Sequence, residues 1–232
     1  MIIKGLQKTT LLDFPTKVAC TVFTPGCNFR CPFCHNASLV IDTDLSDTVN
    51  IDAFFDYLKK RKGILDGVCI TGGEPLIQKD IAMFISKIKE LGYAVKVDTN
   101  GSQPKMLSEL IENNLVDYVA MDIKGSQAKY SAICGIENGK YLGAVSESIS
   151  LLLKNQIDYE FRTTVVKELH DKEDFHDIGK WICGTKKYFL QQFKDSGDLI
   201  TNDPYTAYNK EEMEEILSIV KNYIPNAELR GI

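Results

Sequence analysis

Six short β-rich segments alternate with six longer amphipathic segments along the 232 residues. The β-rich segments are 18–24, 67–71, 93–99, 116–123, 157–166 and 186–193, and the predicted helices are 49–61, 80–92, 104–114, 143–155, 172–182 and 210–224. Repeated strand–helix–strand spacing predicts parallel strands joined by right-handed crossovers. An open doubly wound sheet and a full or partial barrel both fit this pattern. In either fold, functional groups collect at the carboxyl ends of the strands.

Composition excludes several classes of protein. The chain is 44% hydrophobic with a formal net charge of −5, and no break in composition divides it, so we expect one domain over residues 1–232. An acidic chain without a basic face is not expected to bind nucleic acid. No window approaches the ~20 apolar residues of a membrane span, and the start lacks the pattern of a signal peptide. We therefore expect a cytoplasmic protein with reduced cysteines that does not bind membranes.

The segment TPGCNFRCPFCHN, residues 24–36, places Cys27, Cys31 and Cys34 directly after the first predicted strand. A structural zinc site takes four ligands, and no second close pair of cysteines supplies a fourth. The run CPFCH matches a c-type haem attachment motif, but that assembly normally requires export and leaves Cys27 unexplained. A [4Fe–4S] cluster that only carries electrons takes four thiolates, so three predict one iron left open to another ligand.

The remaining cysteines lie singly, so a second cluster is not expected. Cys20 and Cys69 fall within predicted strands and are interpreted as small core residues. Cys134 and Cys183 are also predicted to be inert.

Three cysteines spaced Cys-x3-Cys-x2-Cys after the first strand of a βα repeat resemble the radical S-adenosylmethionine superfamily. The resemblance implies an α/β fold of the partial (β/α)6 barrel type and one [4Fe–4S] cluster that binds S-adenosylmethionine. TGGEP, residues 71–75, resembles the GGE motif, in which backbone and carboxylate receive the amino group of the cofactor. Gly72 and Gly73 would let the backbone approach a ligand, and Glu74 could pair with an ammonium.

Further strand ends extend the resemblance to activators of glycyl-radical enzymes. VDTNG (97–101) and MDIKG (121–125) resemble segments that lie around the carboxylate and ribose of S-adenosylmethionine, in some members with a monovalent cation. The resemblance assigns these roles to Asp98, Asp122 and Lys124, whereas Asn100 and Gly101 are expected to shape the turn.

The family resemblance assigns roles to three more residues by their position in the sequence. Arg162, inside the fifth predicted strand, resembles the arginine that meets the cofactor carboxylate. A charge in a parallel strand is costly unless it is paired, so an internal salt bridge is also expected there. Phe33 resembles the aromatic residue beside the adenine, and His35 is placed near the cluster or as a cap of the loop.

The opening IKGLQKTTLLDFPTKVACTVFTPGCNFRCPFCHN, residues 3–36, resembles activators of the anaerobic ribonucleoside-triphosphate reductase. This implies cleavage of S-adenosylmethionine to a 5′-deoxyadenosyl radical that takes a hydrogen from a glycine of that partner enzyme, with a flavodoxin- or ferredoxin-type electron donor. No further catalytic residue is required, so His170 and His176 are interpreted as structural, and Gln191 is a candidate site residue. A small-molecule enzyme such as 7-carboxy-7-deazaguanine synthase, or a non-catalytic metal or haem protein, stays open as an alternative.

Overall fold

The structure, a computed structural model, describes residues 1–41, 46–137, 139–195, 197, 199–201 and 203–232. Within these residues one sheet runs in chain order through eight strands: β1 Gly5–Thr10, β2 Ala19–Thr24, β3 Gly67–Gly72, β4 Ala94–Thr99, β5 Tyr118–Asp122, β6 Asp158–Val165, β7 Tyr188–Gln192 and β8 Ala227–Arg230. β1 pairs antiparallel with β2, and all later neighbours are parallel. The α-helices are α1 Ala37–Ile41, α2 Ile51–Lys60, α3 Ile81–Glu90, α4 Pro104–Glu112, α5 Tyr130–Ile133, α6 Leu142–Leu152, α7 Lys172–Trp181 and α8 Lys210–Lys221.

The six predicted strands are confirmed as β2 to β7, and the six predicted helices as α2, α3, α4, α6, α7 and α8. The sequence prediction missed β1 and β8, which add one strand to each edge of the predicted six. β1 is mostly exposed or half-buried, and β8 has only four residues. Neither carries the apolar, β-branched run that marks a buried strand.

The two faces of the sheet differ in chemistry. On β4, Val95 and Val97 are buried in the main apolar core, which includes residues of the surrounding helices. Lys96 and Asp98 alternate with them and therefore point to the opposite face. That inner face carries charges from several strands.

The sheet is strongly curved. Phe14, from the connection between β1 and β2, packs with Ala19 of β2 and Tyr118 of β5, and the two ring centroids are 6.2 Å apart. Strands three positions apart can share one small cluster only if the sheet bends around it. This curvature agrees with the predicted partial barrel, and the cluster fills the barrel near the start of the parallel strands.

Parallel strands β2 to β7 all end at one edge of the sheet, where their following loops meet. The sequence motifs of interest lie in these loops, as the fold class predicts. No helix in the described part of the chain is long and apolar enough to cross a membrane.

Candidate active site

The three-cysteine loop lines one wall of a cavity of about 220 Å³ at the carboxyl ends of the strands. Cys31 is buried, whereas Cys27 and Cys34 are half-buried. The backbone of the loop is anchored at both ends, because Gly26 N–H donates to the Leu39 carbonyl (2.7 Å) and Arg30 N–H donates to the Cys134 carbonyl (2.8 Å). The thiols therefore sit on a loop that is fixed to α1 and to the end of α5.

Burial controls the protonation of these thiols. It raises the pKa of Cys27 to about 12 and raises that of Cys34 as well. The pKa of Cys31 is lowered, because the Cys134 thiol hydrogen-bonds to its sulfur. Since the thiolate is the form that ligates metal, a bound metal must supply the positive charge that favours ionisation at the other two positions.

The three thiols are not arranged for a single ion. Within the described residues, no three histidine, cysteine, aspartate or glutamate side chains are grouped closely enough to hold one metal ion. A [4Fe–4S] cluster presents separate irons to separate thiolates, so its ligands do not have to converge on one point.

Gly72 and Gly73 close the cavity beside the cysteine loop. Gly73 N–H donates to the Thr24 carbonyl, and Glu74 N–H donates to the Gly26 carbonyl, both at 2.8 Å. A Cβ at Gly73 would collide with the carbonyl oxygen of Gly26. Glycine is thus required here for the end of β3 to pack against the loop that carries the cysteines.

Glu74 is not among the residues that line the cavity, and the expected contact of its carboxylate with an ammonium stays a prediction. The side chain is fully buried. It accepts hydrogen bonds from Leu76 N–H (3.0 Å), Thr99 Oγ1 (2.8 Å) and Asn100 N–H (2.6 Å). Glu74 therefore joins the end of β3 to the end of β4.

Burial raises the pKa of Glu74 from 4.5 to about 7. A raised folded pKa means that the contribution of Glu74 to stability is fully present below pH 4.5 and is lost as the pH rises through 7.

Replacing Glu74 with alanine should destabilise the metal-free protein by about 1–3 kcal/mol, because Thr99 and Asn100 lose a buried acceptor. Urea unfolding measures this loss, and Glu90→Ala, at an exposed position on α3, is the control that should change little. An unchanged urea midpoint combined with weaker S-adenosylmethionine binding would contradict the structural role and favour direct ligand contact.

The other predicted charges form one connected network below the cavity. Arg162 Nη1 lies 3.1 Å from Asp98 Oδ2, and its Nε lies 3.0 Å from Asp122 Oδ1. Lys124 Nζ lies 2.8 Å from the second oxygen of Asp122. Burial favours the neutral acid, but the cations of Arg162 and Lys124 hold the pKa of Asp122 below its ordinary value. Arg162 lines the cavity and forms the expected internal salt bridge, and its contact with the cofactor carboxylate stays a prediction.

Lys96 belongs to the same network and was missed by the sequence analysis. It is only 2% exposed, and its ammonium contacts the free oxygen of Asp98. The argument that identified Arg162, a charge inside a parallel strand, applies equally to Lys96 within VKV on β4. That signal would have found it.

Phe33, His35, Asn100 and Gln191 all line the same cavity. Phe33 is buried, whereas His35 is exposed at the rim. Asn100 shapes the turn as expected, since its side chain accepts from Ser102 N–H at 2.9 Å. The roles of these side chains toward a ligand stay predictions.

The remaining cysteines and histidines are mostly structural. Cys20, Cys69 and Cys134 are buried, and Cys183 is exposed. Cys134 nevertheless lies close enough to Cys31 to lower the pKa of its thiol, a proximity that the sequence did not reveal. His170 is buried, and its Nε2 is 2.8 Å from the Lys124 carbonyl, so it supports the backbone of the charged loop.

The sheet is curved and mostly parallel, and its first parallel strand leads into a cysteine loop that faces a buried charge network. These features define the class of protein as a partial-barrel enzyme. The model of the Radical SAM superfamily matches residues 21–182. The chain belongs to the Radical SAM superfamily.

One relative is a protein of Methanocaldococcus jannaschii whose name, a glycyl-radical enzyme activating enzyme, is itself an inference. It is 34% identical to this chain over 245 residues, which cover 100% of this chain and 96% of that protein. A 7-carboxy-7-deazaguanine synthase of Thermoplasma acidophilum is 28% identical, and the match covers 60% of this chain and 63% of that protein. The structure of Streptococcus suis SuiB bound to precursor peptide SuiA matches 95% of this chain and 50% of SuiB, with a TM-score of 0.70 and 16% identity. At that identity the structural likeness shows the fold.

The family implies a [4Fe–4S] cluster and S-adenosylmethionine, and the residues present fit both groups. Three thiols share one wall of the cavity, and glycine backbone lies beside them. The charge network combines three cations with two carboxylates, and the excess positive charge suits a ligand that carries a carboxylate. Its members are Lys96, Asp98, Asp122, Lys124 and Arg162.

Proposed function

We propose that this chain is an activase that installs a glycyl radical on a partner enzyme. The observation that carries the proposal is the 34% identity with a glycyl-radical activating relative along essentially the full length of both proteins. Matches to the deazaguanine-forming relative cover only 60% of the chain, the part expected to be common to the superfamily. A shared barrel explains a partial match, whereas a full-length match includes the segments outside the barrel core.

Cys27, Cys31 and Cys34 would hold the cluster. When bound, the reduced cluster and S-adenosylmethionine supply a one-electron cleavage that gives methionine and a 5′-deoxyadenosyl radical able to take a hydrogen atom from a glycine Cα. A flavodoxin- or ferredoxin-type protein is the proposed electron donor. Glycine suits this reaction because no Cβ blocks approach to its Cα.

The chain itself would bind and orient the cofactor. Asp98, Asp122, Lys124 and Arg162 face the cavity and would hold the polar groups of S-adenosylmethionine. Phe33 would pack against its adenine. The backbone of Gly72 and Gly73 would contact its amino group, and the contact of Glu74 with the same group stays a prediction.

The proposed partner is the anaerobic ribonucleoside-triphosphate reductase. This choice follows the resemblance of residues 3–36, which form β1, β2 and the cysteine loop, to activators of that enzyme.

The test is anaerobic incubation of the reconstituted, reduced protein with S-adenosylmethionine and the reductase of the same organism. We expect a glycyl doublet in the electron paramagnetic resonance spectrum, and equal amounts of methionine and 5′-deoxyadenosine. The doublet should disappear when the radical-bearing glycine of the reductase is replaced by alanine.

Two outcomes would favour the alternatives. Cofactor cleavage that is stimulated by a small molecule, with no doublet on any glycyl-radical enzyme, would indicate a small-molecule enzyme. Reconstituted protein that binds iron but cleaves no S-adenosylmethionine under reducing conditions would indicate a non-catalytic metal protein.

A further inference from the structure

Lys96 is the buried cation of the charge network to which no contact with a ligand has been assigned. It lies on β4, two residues before Asp98 on the same face, and its side chain is 3% exposed. It does not line the cavity. Burying an ammonium is costly unless it is fully paired, so a lysine at this position calls for a specific partner.

That partner is the Asp98 carboxylate, which has a cation on each oxygen. Lys96 Nζ contacts Oδ1, and Arg162 Nη1 lies 3.1 Å from Oδ2. The ammonium also lies 3.7 Å from the Cys69 sulfur. Burial of Lys96 is outweighed by the charge of Asp98, which raises the lysine pKa, so the ammonium stays charged.

Arg162 is not the only cation that neutralises Asp98 and Asp122, because each carboxylate also has a lysine of its own. Asp98 and Asp122 both face the cavity, and Arg162 bridges them. Lys124 supplies the second cation of Asp122 on one side, and Lys96 supplies the second cation of Asp98 on the other. Without Lys96 the remaining four charges sum to zero, and Asp98 has one oxygen without a cation.

We propose that Lys96 is a positioning residue that acts as a built-in monovalent cation, fixing the Asp98 carboxylate at the floor of the cavity. A free sodium or potassium ion could fill the same place beside a carboxylate, but the tethered ammonium loses less freedom on binding. In this chain a side chain would then stand beside the carboxylate where some members of the family that the sequence resembles hold a monovalent cation. The inference rests on the proposed binding of S-adenosylmethionine in this cavity.

The experiment measures the affinity of anaerobically reconstituted protein for S-adenosylmethionine by calorimetry in sodium, potassium and tetramethylammonium chloride at one ionic strength. We expect the wild-type affinity to be the same in all three salts. Lys96→Met should weaken binding by about 10- to 100-fold in tetramethylammonium, the loss expected for one charged hydrogen bond. Sodium or potassium should restore much of it, because a small cation can occupy the place of the missing side-chain ammonium.

Two further variants separate this role from a merely structural one. Lys96→Met/Asp98→Asn removes both charges, so it leaves no buried carboxylate unpaired and should show no cation dependence. Lys87→Met, at an exposed position on α3, is the matched control and should behave as wild type. Urea unfolding of each metal-free variant, in each salt, reports whether the fold itself responds to the cation.

The possible results divide clearly. Wild-type affinity that requires potassium would overturn the inference, as would a Lys96→Met variant that binds normally in every salt. A variant weakened equally in all salts would show only a structural role and would also overturn it. If wild-type protein binds no S-adenosylmethionine at all, the proposed function itself fails, and this inference falls with it.

Discussion

Cys31→Ala should abolish cleavage of S-adenosylmethionine and prevent assembly of a complete cluster. Cys31 is the buried member of the three cysteines and lies in the middle of the loop. A cluster with only two protein ligands is expected to be lost during anaerobic reconstitution. Iron content, the visible absorption of the cluster, and methionine formation under reducing conditions measure the effect.

Cys134 complicates this prediction, because its thiol lies near Cys31 and could serve as a substitute ligand. The double variant Cys31→Ala/Cys134→Ala removes that possibility and should bind no intact cluster. Cys134→Ala alone should keep its cluster, and Cys183→Ala, at an exposed position, should match wild type. Full cluster content and activity in the double variant would refute the assignment of Cys31 as a ligand.

The sequence predicted the middle of the fold well because buried parallel strands have a strong signal. VACTVFT and GVCIT are rich in β-branched residues, and they became β2 and β3 within one residue at each end. β1 was missed because an exposed edge strand, GLQKTT, is not selected for apolar residues. The strand–helix pattern alone left open whether the sheet curls, because curvature depends on contacts such as Phe14 with Tyr118, and the partial barrel was predicted from the family resemblance.

The sequence predicted where the candidate active site lies, but it did not predict all the side-chain contacts there. Parallel strands bring their carboxyl ends together, so motifs far apart in sequence were expected to meet there, and they do. The direction of a side chain just beyond a strand is set by the turn that follows. Glu74 starts a short 3-10 helix at Pro75 and points into the protein, which no motif comparison could show. Lys96 was overlooked because a lysine is usually solvent-exposed.

Arg162 is the centre of the buried charge network, and its replacement has the second large expected effect. It is 14% exposed and bridges two carboxylates from neighbouring strands β4 and β5. Breaking a buried ion pair by removing one partner leaves the other charge desolvated. Here two carboxylates would lose a partner at once, although each keeps one lysine.

Arg162→Met should therefore lower the unfolding free energy of the metal-free protein by about 3–5 kcal/mol at neutral pH. Arg162 helps to hold the pKa values of Asp98 and Asp122 below 3.8, so its contribution is present above pH 3.8 and is lost as the pH falls further. The difference between variant and wild type, measured by urea unfolding, should shrink on acidification. Lys172→Met breaks the exposed pair with Glu215 and should cost less than about 1 kcal/mol. Equal losses in the two variants would mean that the network contributes no more than a surface salt bridge.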